Sequence, residues 1–262
     1  VREFTTFCEY SNRNKIHVIG GIAPGLYYSS EYETRDFNCL VEKADMLTKA
    51  GAAGIALMFD DIEPVAEDAI RPASLPANSE DFPLLVFVGR LSEQKGLDVL
   101  MDAWDLLCTQ GEPKARLAIA GSGELNEWLE QRIASSTYSD SIVKLGRVED
   151  AEKRWLFEQA KGVLIPSRFE GLPTVLLEAM HAGAPTVMAD VNDLGRLVTE
   201  PNAGLSVTPG DSQDLLKAIN TLLEADGAQI KTWSENGHQA SKPYLWSNVV
   251  DDLLHVYRRV RT

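Results

Sequence analysis

Apolar segments alternate with segments of helical periodicity along most of this chain, and this alternation constrains the fold more than any other feature of the sequence. The apolar segments cover residues 84–88, 115–120, 141–145, 162–166, 185–189 and 204–207, and the helical ones cover 96–109, 124–135, 150–160, 174–182 and 212–225. Two parallel neighbouring strands need a long connection that crosses over the sheet, and this connection is usually a helix. Strands that alternate with helices along the chain are therefore expected to run parallel. Uninterrupted apolar strands are typical of sheets buried on both faces. The sequence therefore predicts an α/β fold, with an open parallel sheet and helices on both faces.

The first part of the chain carries a shorter version of the same pattern. Apolar segments over 15–22 and 55–59 flank an amphipathic helix over 36–50, which predicts an N-terminal βαβ fragment. The proline-rich stretch that follows predicts a linker, because proline lacks the N–H donor and restricts the residue before it. We expect two domains, residues 1–80 and residues 81–262, and the start at Val1 rather than Met indicates a fragment.

The charge balance and the cysteines exclude several classes of protein. There are 25 basic and 39 acidic residues, a formal net charge of −14, which argues against a nucleic-acid binder because the phosphate backbone needs a positive field. A small anionic ligand stays open, since two or three local cations can hold one. The three widely spaced cysteines predict reduced thiols. No apolar run is long enough for a transmembrane segment and no signal peptide is recognisable, so we expect a cytoplasmic protein.

The segment after the third apolar stretch has the features of a phosphate site. Gly89 permits a close backbone approach, and the helix predicted after Gly96 offers free N–H groups and a positive dipole end. Arg90 and Lys95 add two cations that suit a diphosphate. The alternative is a surface turn with two solvated cations. Weaker signals of the same kind follow the next two strands, at Gly121 and at Gly146-Arg147, where plain connection geometry is the alternative.

Two carboxylates stand eight residues apart in the sequence Phe169-Glu-Gly-Leu-Pro-Thr-Val-Leu-Leu-Glu178. Glu170 is predicted in the loop after a strand and Glu178 on the following helix. Carboxylates accept paired hydrogen bonds, which the vicinal hydroxyls of a ribose or hexose supply. In the alternative, Glu170 caps the helix and Glu178 pairs at the surface. The apolar neighbours of Glu178 favour a functional role, because burial of an unpaired carboxylate is costly.

Residues 84–260 resemble the C-terminal, nucleotide-sugar-binding domain of the GT-B retaining glycosyltransferases of family four. The matching motifs are the GR…KG stretch, the GSGE turn, the LGRV segment, the two glutamates of FEGLPTVLLEAM with seven residues between them, and the terminal helix. The resemblance implies a Rossmann-like sheet. It implies catalytic roles for Arg90 and Lys95, which would hold the donor diphosphate, and for Glu170, which would bind hydroxyls of the transferred sugar.

The same resemblance implies the other donor contacts and the partners. Glu178 would bind the ribose hydroxyls, and the remaining donor-binding positions are Gly89, Gly121, Gly146, Arg147, Gly171 and Leu172. The partners would be a nucleotide-sugar donor and a carbohydrate or lipid-linked acceptor that receives a hexosyl group. Neither a cofactor nor a bound metal is expected. The loop 189–195 departs from the family, which usually has a Gly-Gly pair there, so donor contacts from this loop are not implied.

The first eighty residues are similar to part of the barrel of glycoside hydrolase family 84, the β-N-acetylglucosaminidases. The similarity covers about 60 residues, or two of the eight strands of such a barrel. It implies that Asp60 orients an acetamido group and that Asp61 is a general acid/base. A polar turn is the other interpretation of this pair. The alternative function is therefore a β-N-acetylglucosaminidase-derived fragment or fusion that binds ligand without turnover.

The last predicted helix, over 246–260, bears on assembly. Its apolar face includes Leu253, Leu254 and Tyr257. This face must either cover the N-terminal segment or lie exposed, and exposure favours association. A homo-oligomer formed through this helix is the corresponding expectation.

Overall fold

The computed structural model describes residues 19–22, 54–57, 68–76, 82–111 and 113–245. The chain divides into two compact units, Val1–Ile62 with Pro243–Thr262, and Glu63–Lys242. In the first unit, strands β1 (Ile19–Ile22) and β2 (Gly54–Leu57) pair in parallel, as the predicted βαβ fragment requires. The helix predicted between them and the predicted terminal helix lie outside the described residues.

The second unit contains a six-stranded sheet and the helices that connect its strands. In chain order its elements are β3 (Leu84–Val88), α1 (Leu97–Thr109), β4 (Arg116–Ala120), α2 (Asn126–Ala134), β5 (Ile142–Gly146), α3 (Asp150–Gln159), β6 (Ala160–Ile165), α4 (Thr174–His181), β7 (Thr186–Ala189), α5 (Arg196–Thr199), β8 (Gly204–Val207), α6 (Ser212–Glu224) and α7 (Gly227–Ser241). All neighbouring strands are parallel, in the order β5-β4-β3-β6-β7-β8. The predicted α/β fold with an open parallel sheet is confirmed.

The strand order shows where the chain changes direction across the sheet. It runs outward from β3 through β4 to β5, then returns to place β6 on the other side of β3, and continues outward through β7 to β8. Because crossover connections are right-handed, this reversal sends the helices of the two halves to opposite faces. Every position of β7 is buried, and so is every position of β4 after Arg116, as expected for a sheet covered on both sides.

Helix α7 is the main element that the sequence pattern did not predict. Its buried residues are Trp233, Gly237 and Ser241, so the face that packs on α4 contains a single large apolar side chain. A search for apolar periodicity misses such a helix. The signal available was its N-cap, Asp226, whose carboxylate accepts a hydrogen bond from the backbone N–H of Gln229 at 2.8 Å.

Part of the predicted linker belongs to the second unit and contacts its helix α3. The N–H of Ile70 donates to the carbonyl of Ala151 in α3, at 2.9 Å. Arg71 donates to the carbonyls of Leu75 and Pro76, at 2.9 and 2.7 Å. The domain division near residue 80 stays a prediction. None of the helices that the structure describes is long and apolar enough to cross a membrane.

Gly96 controls how closely two loops approach each other at the carboxyl edge of the sheet. It has φ +65°, and a Cβ there would overlap the carbonyl oxygen of Pro166, which follows β6. The left-handed conformation and the close contact both require glycine. The loop after β3 can therefore lie directly against the loop after β6.

We expect Gly96→Ala to lower the free energy of unfolding by about 3 kcal/mol, because it combines backbone strain with a steric overlap. Gly210→Ala is the matched control: Gly210 has φ +77°, but a Cβ added there would meet no atom within 4 Å, so strain alone should cost about 1 kcal/mol. Urea denaturation measures both values. Equal costs for the two variants would contradict the close approach at Pro166.

A second test uses a histidine pair between α4 and α7. The rings of His181 and His238 stack with centroids 5.0 Å apart. Burial and the charges of His238, Arg154 and Lys242 lower the pKa of His181. Because protonation is then easier in the unfolded chain, this residue stabilises the fold fully above the ordinary histidine pKa, and the contribution is lost as the pH falls through the lowered value.

Between about pH 7.5 and pH 5.5, the wild-type protein should therefore lose stability as the pH falls. His181→Gln should lose less over the same range, as followed by thermal unfolding at each pH. An identical pH dependence in the variant would rule out His181 as the cause.

Candidate functional site

The candidate site lies at the carboxyl edge of the sheet, around the two strands where the chain reverses. In open parallel sheets, ligands bind beyond the carboxyl ends of the strands, at the point where the strand order changes direction. Here that point lies between β3 and β6. The loops that follow these strands contain Arg90 and Lys95 on one side and Glu170 on the other.

The structure brings Lys95 and Glu170 into direct contact. The Lys95 Nζ lies 2.6 Å from Glu170 Oε1, and the Ser167 hydroxyl donates to the same oxygen at 2.7 Å. Only 6% of the Glu170 side chain is exposed, so its charge depends on these two donors. Among the described residues, Glu170 Oε2 has no such partner. The sequence placed both residues in the site, but it did not predict that they bind each other.

Arg168 holds the Glu170 loop against the loop that follows β3. Its guanidinium forms two hydrogen bonds of 2.6 Å with the carboxylate of Asp98 in α1 and a third, of 3.1 Å, with the carbonyl of Glu93. Its backbone N–H donates to the carbonyl of Gln94 at 2.8 Å, and the Gln94 amide donates to the carbonyl of Phe169 at 3.0 Å. Hydrogen bonding and the charge of Arg168 lower the pKa of Asp98 despite burial. We call these contacts of Arg168 with Asp98, Glu93 and Gln94 the Arg168 clamp, and sequence analysis did not identify it.

Glu178 is buried and paired with a lysine. It is 7% exposed, and its Oε2 lies 3.1 Å from the Nζ of Lys153. Lys153 belongs to the first turn of α3, which begins at the carboxyl edge of the sheet just after β5. Burial lowers the pKa of Lys153, but the charge of Glu178 and its hydrogen bond, together with Asp150, outweigh burial and raise the pKa. Sequence analysis foresaw the burial of Glu178 but not its partner.

The predicted glycines at the carboxyl ends of β3, β4 and β5 form one connected edge of backbone. The N–H of Gly89 donates to the carbonyl of Ala120 at 3.0 Å, and the N–H of Gly121 donates to the carbonyl of Gly146 at 2.7 Å. Gly121 has φ +141°, and a Cβ there would overlap the carbonyl oxygen of Gly89. Close stacking of these turns therefore requires glycine at position 121.

The other predicted positions are open to solvent or lie outside the described residues. Arg90 and Arg147 are exposed, and neither side chain has a hydrogen bond or ion pair within the described part of the chain. Gly171 is exposed and Leu172 is half-buried. The predicted hydrolase pair, Asp60 and Asp61, lies outside the described residues.

The loop after β7 reaches the Glu170 loop through Asn192. The side-chain amide of Asn192 donates to the backbone carbonyl of Glu170 at 3.1 Å. Asn192 and Asp193 both have left-handed backbones, with φ of 52° and 60°. This segment belongs to the loop where the sequence departs from the Gly-Gly pair of the family it resembles. Within the described ranges, no group of three His, Cys, Asp or Glu side chains is arranged to hold a metal.

More than half of the chain, residues 73–240, matches the family Glycosyl transferases group 1. The chain belongs to this family. An uncharacterized glycosyltransferase of Methanocaldococcus jannaschii is 29% identical over 179 residues, which cover 68% of this chain and 45% of that protein. A glycogen synthase of Mycobacterium tuberculosis is 28% identical over 189 residues, covering 72% of this chain and 44% of the enzyme. The group 1 chain thus spans about half the length of the curated relatives it matches.

A solved structure shows the same fold. HepE from Anabaena, crystallised with UDP and glucose, superposes with a TM-score of 0.64 at 19% identity, over 99% of this chain and 76% of HepE. The predicted GT-B, Rossmann-like fold is confirmed. The comparisons favour the glycosyltransferase over the hydrolase alternative. The similarity of the first eighty residues to glycoside hydrolase family 84 stays a prediction.

The pairing of Glu178 predicts a clear stability effect in this group 1 domain. Lys153→Met leaves a buried carboxylate without its cation and should lower the free energy of unfolding by about 2 kcal/mol. The control is Lys217→Met, because Lys217 is 77% exposed and lies 3.7 Å from Asp214, a pair expected to contribute below about 0.5 kcal/mol. Urea denaturation at neutral pH distinguishes the two. Equal values for both variants would show that Glu178 does not depend on Lys153.

Proposed function

We propose that the Glu63–Lys242 unit is the donor-binding half of a retaining glycosyltransferase of family four, which transfers a hexosyl group from a nucleoside diphosphate sugar to the hydroxyl of a carbohydrate or lipid-linked acceptor. The donor would lie across the carboxyl ends of β3 and β6. Membership of the group 1 family and the position of the site at the reversal of the strand order support this proposal.

The observation that carries the proposal is the way in which the two buried carboxylates are paired. Glu170 and Glu178 each bind a lysine through one oxygen, while the other oxygen has no partner among the described residues. A carboxylate held in this way keeps its charge and orientation and still has an acceptor to offer. Paired hydroxyls are its natural ligands. Glu170 would bind hydroxyls of the transferred sugar, and Glu178 those of the ribose.

The diphosphate would be held by Arg90 and Lys95. Arg90 is exposed, without an ion-pair partner among the residues that the structure describes, so a phosphate can bind it without breaking a contact. Lys95 would exchange part of its contact with Glu170 for the phosphate. Two cations placed where negative charge develops on the leaving diphosphate lower the energy of the transition state, and the proposal assigns this role to them with no metal ion.

Backbone groups would complete the donor site. The connected turns at Gly89, Gly121 and Gly146 offer a surface without Cβ atoms, over which a planar base and a phosphate can lie closely. Arg147 would border the base. Gly171 and Leu172 would contact the sugar and the adjoining phosphate.

Isothermal titration with UDP, GDP, UDP-glucose and GDP-mannose tests the proposal. One nucleotide should bind, and Lys95→Met should weaken that binding about 20-fold, because a charge-assisted bond to phosphate is lost. Glu170→Gln should leave the free nucleotide bound at least as tightly, since Lys95 is released, but should weaken the matching sugar nucleotide. Lys217→Met serves as a control for the loss of a surface charge.

Two results would overturn the donor site. One is the absence of binding for every nucleotide and sugar nucleotide tested. The other is wild-type nucleotide affinity in Lys95→Met. Circular dichroism of each variant confirms that a lost affinity reflects the site and not the fold.

A further inference from the structure

The backbone of Glu170 is tethered on one side by a residue from a different strand connection. Its carbonyl oxygen accepts the 3.1 Å hydrogen bond from the side-chain amide of Asn192, which lies in the loop between β7 and α5. That loop is itself anchored, because the Asp190 carboxylate accepts from the N–H of Gly195 at 2.9 Å and the Asp190 N–H donates to the carbonyl of Val207 at 2.8 Å. The tether therefore joins Glu170 to a well-held part of the sheet edge.

The Arg168 clamp and the bond from Gln94 to the Phe169 carbonyl hold the chain before Glu170, whereas the chain directly after it has little other support among the described residues. Phe169 is 60% exposed, and a Cβ added at Gly171 would meet no atom within 4 Å. Two contacts hold the Glu170 side chain, and both meet at Oε1. If a diphosphate draws Lys95 away, the bond from Ser167 is the one contact with a described residue that still holds the carboxylate. The bond from Asn192 to the backbone does not depend on Lys95.

Asn192, which makes this contact, has an unfavourable backbone conformation. Asn192 and its neighbour Asp193 have φ of 52° and 60°, the left-handed region that favours glycine. Asparagine tolerates this region better than most residues, and it adds an amide donor that glycine lacks. Asp193 shares the conformation, but its side chain has no hydrogen bond or ion pair to another described residue. Only the first residue of the pair therefore reaches Glu170.

We propose that Asn192 is a positioning residue for sugar recognition: its amide fixes the backbone of Glu170, so that the carboxylate meets the sugar of a bound nucleoside diphosphate sugar after Lys95 has turned to the diphosphate. This inference rests on the proposed donor site and adds a determinant of its sugar end. The inference assigns the two parts of the donor to different residues of the protein. The nucleotide is held by Arg90 and Lys95, and the sugar depends on the link from Asn192 to Glu170.

The test compares Asn192→Gly with Asp193→Gly, using UDP and UDP-glucose as titration probes and thermal unfolding as the stability readout. Both variants replace a left-handed residue with glycine, so neither should lower the unfolding temperature. Asn192→Gly removes the bond to Glu170 and should weaken UDP-glucose about five-fold while leaving UDP unchanged. Asp193→Gly should bind both ligands as the wild-type protein does.

The outcomes distinguish this inference from the donor site itself. If the wild-type protein binds neither probe, the proposed function and the inference both fail for this donor class. If it binds UDP-glucose and Asn192→Gly binds it equally well, the donor site stands and the positioning role is wrong. Equal weakening of UDP and UDP-glucose, or equal weakening in Asp193→Gly, would show a general loop effect and would also overturn the role.

Discussion

The contact between Lys95 and Glu170 is the interaction on which the site depends. It joins the loops after β3 and β6, the two strands between which the chain reverses its direction across the sheet. Since little of the Glu170 side chain meets water, the carboxylate needs a partner, and the nearest cation comes from 75 residues earlier in the chain. The close packing of Gly96 on Pro166 and the Arg168 clamp both bring these loops together.

The charges of the site are balanced before any ligand arrives. The side chains of Glu170 and Glu178 are both almost fully buried, and each faces a lysine, in a chain with a net charge of −14. A diphosphate brought to this edge would meet Arg90, which has no ion pair among the described residues, and would compete with Glu170 for Lys95. Binding would then proceed by exchange of partners, with hydroxyls taking the place of the lysine at Glu170. Such an exchange keeps the Glu170 carboxylate hydrogen-bonded throughout, which avoids the costly state of a buried charge without donors.

Most of the fold could be predicted because its signals are local. Uninterrupted apolar segments, a period of 3.6 residues, and glycines directly after strands mark elements whatever their neighbours are. Helix α7 was not predicted because its buried face has glycine and serine at positions where large apolar residues are expected. A small residue can be buried as well as a large one when the opposite helix comes close, and that closeness is a property of the packed pair.

By itself, the sequence determined the strands of the second unit, most of its helices and the edge of the sheet at which the candidate site lies, and it predicted which residues would bind a diphosphate and hydroxyls. The tertiary structure alone decided the partners. Lys153 faces Glu178, and Asn192 reaches Glu170, because of the order in which the strands line up and the way the helices pack on them. The physical reason is the separation of the interacting groups along the chain. Periodicity and turn chemistry act over a few residues, whereas an ion pair or a tether joins two groups that are far apart in the sequence and that only the folded chain brings within about 3 Å of each other.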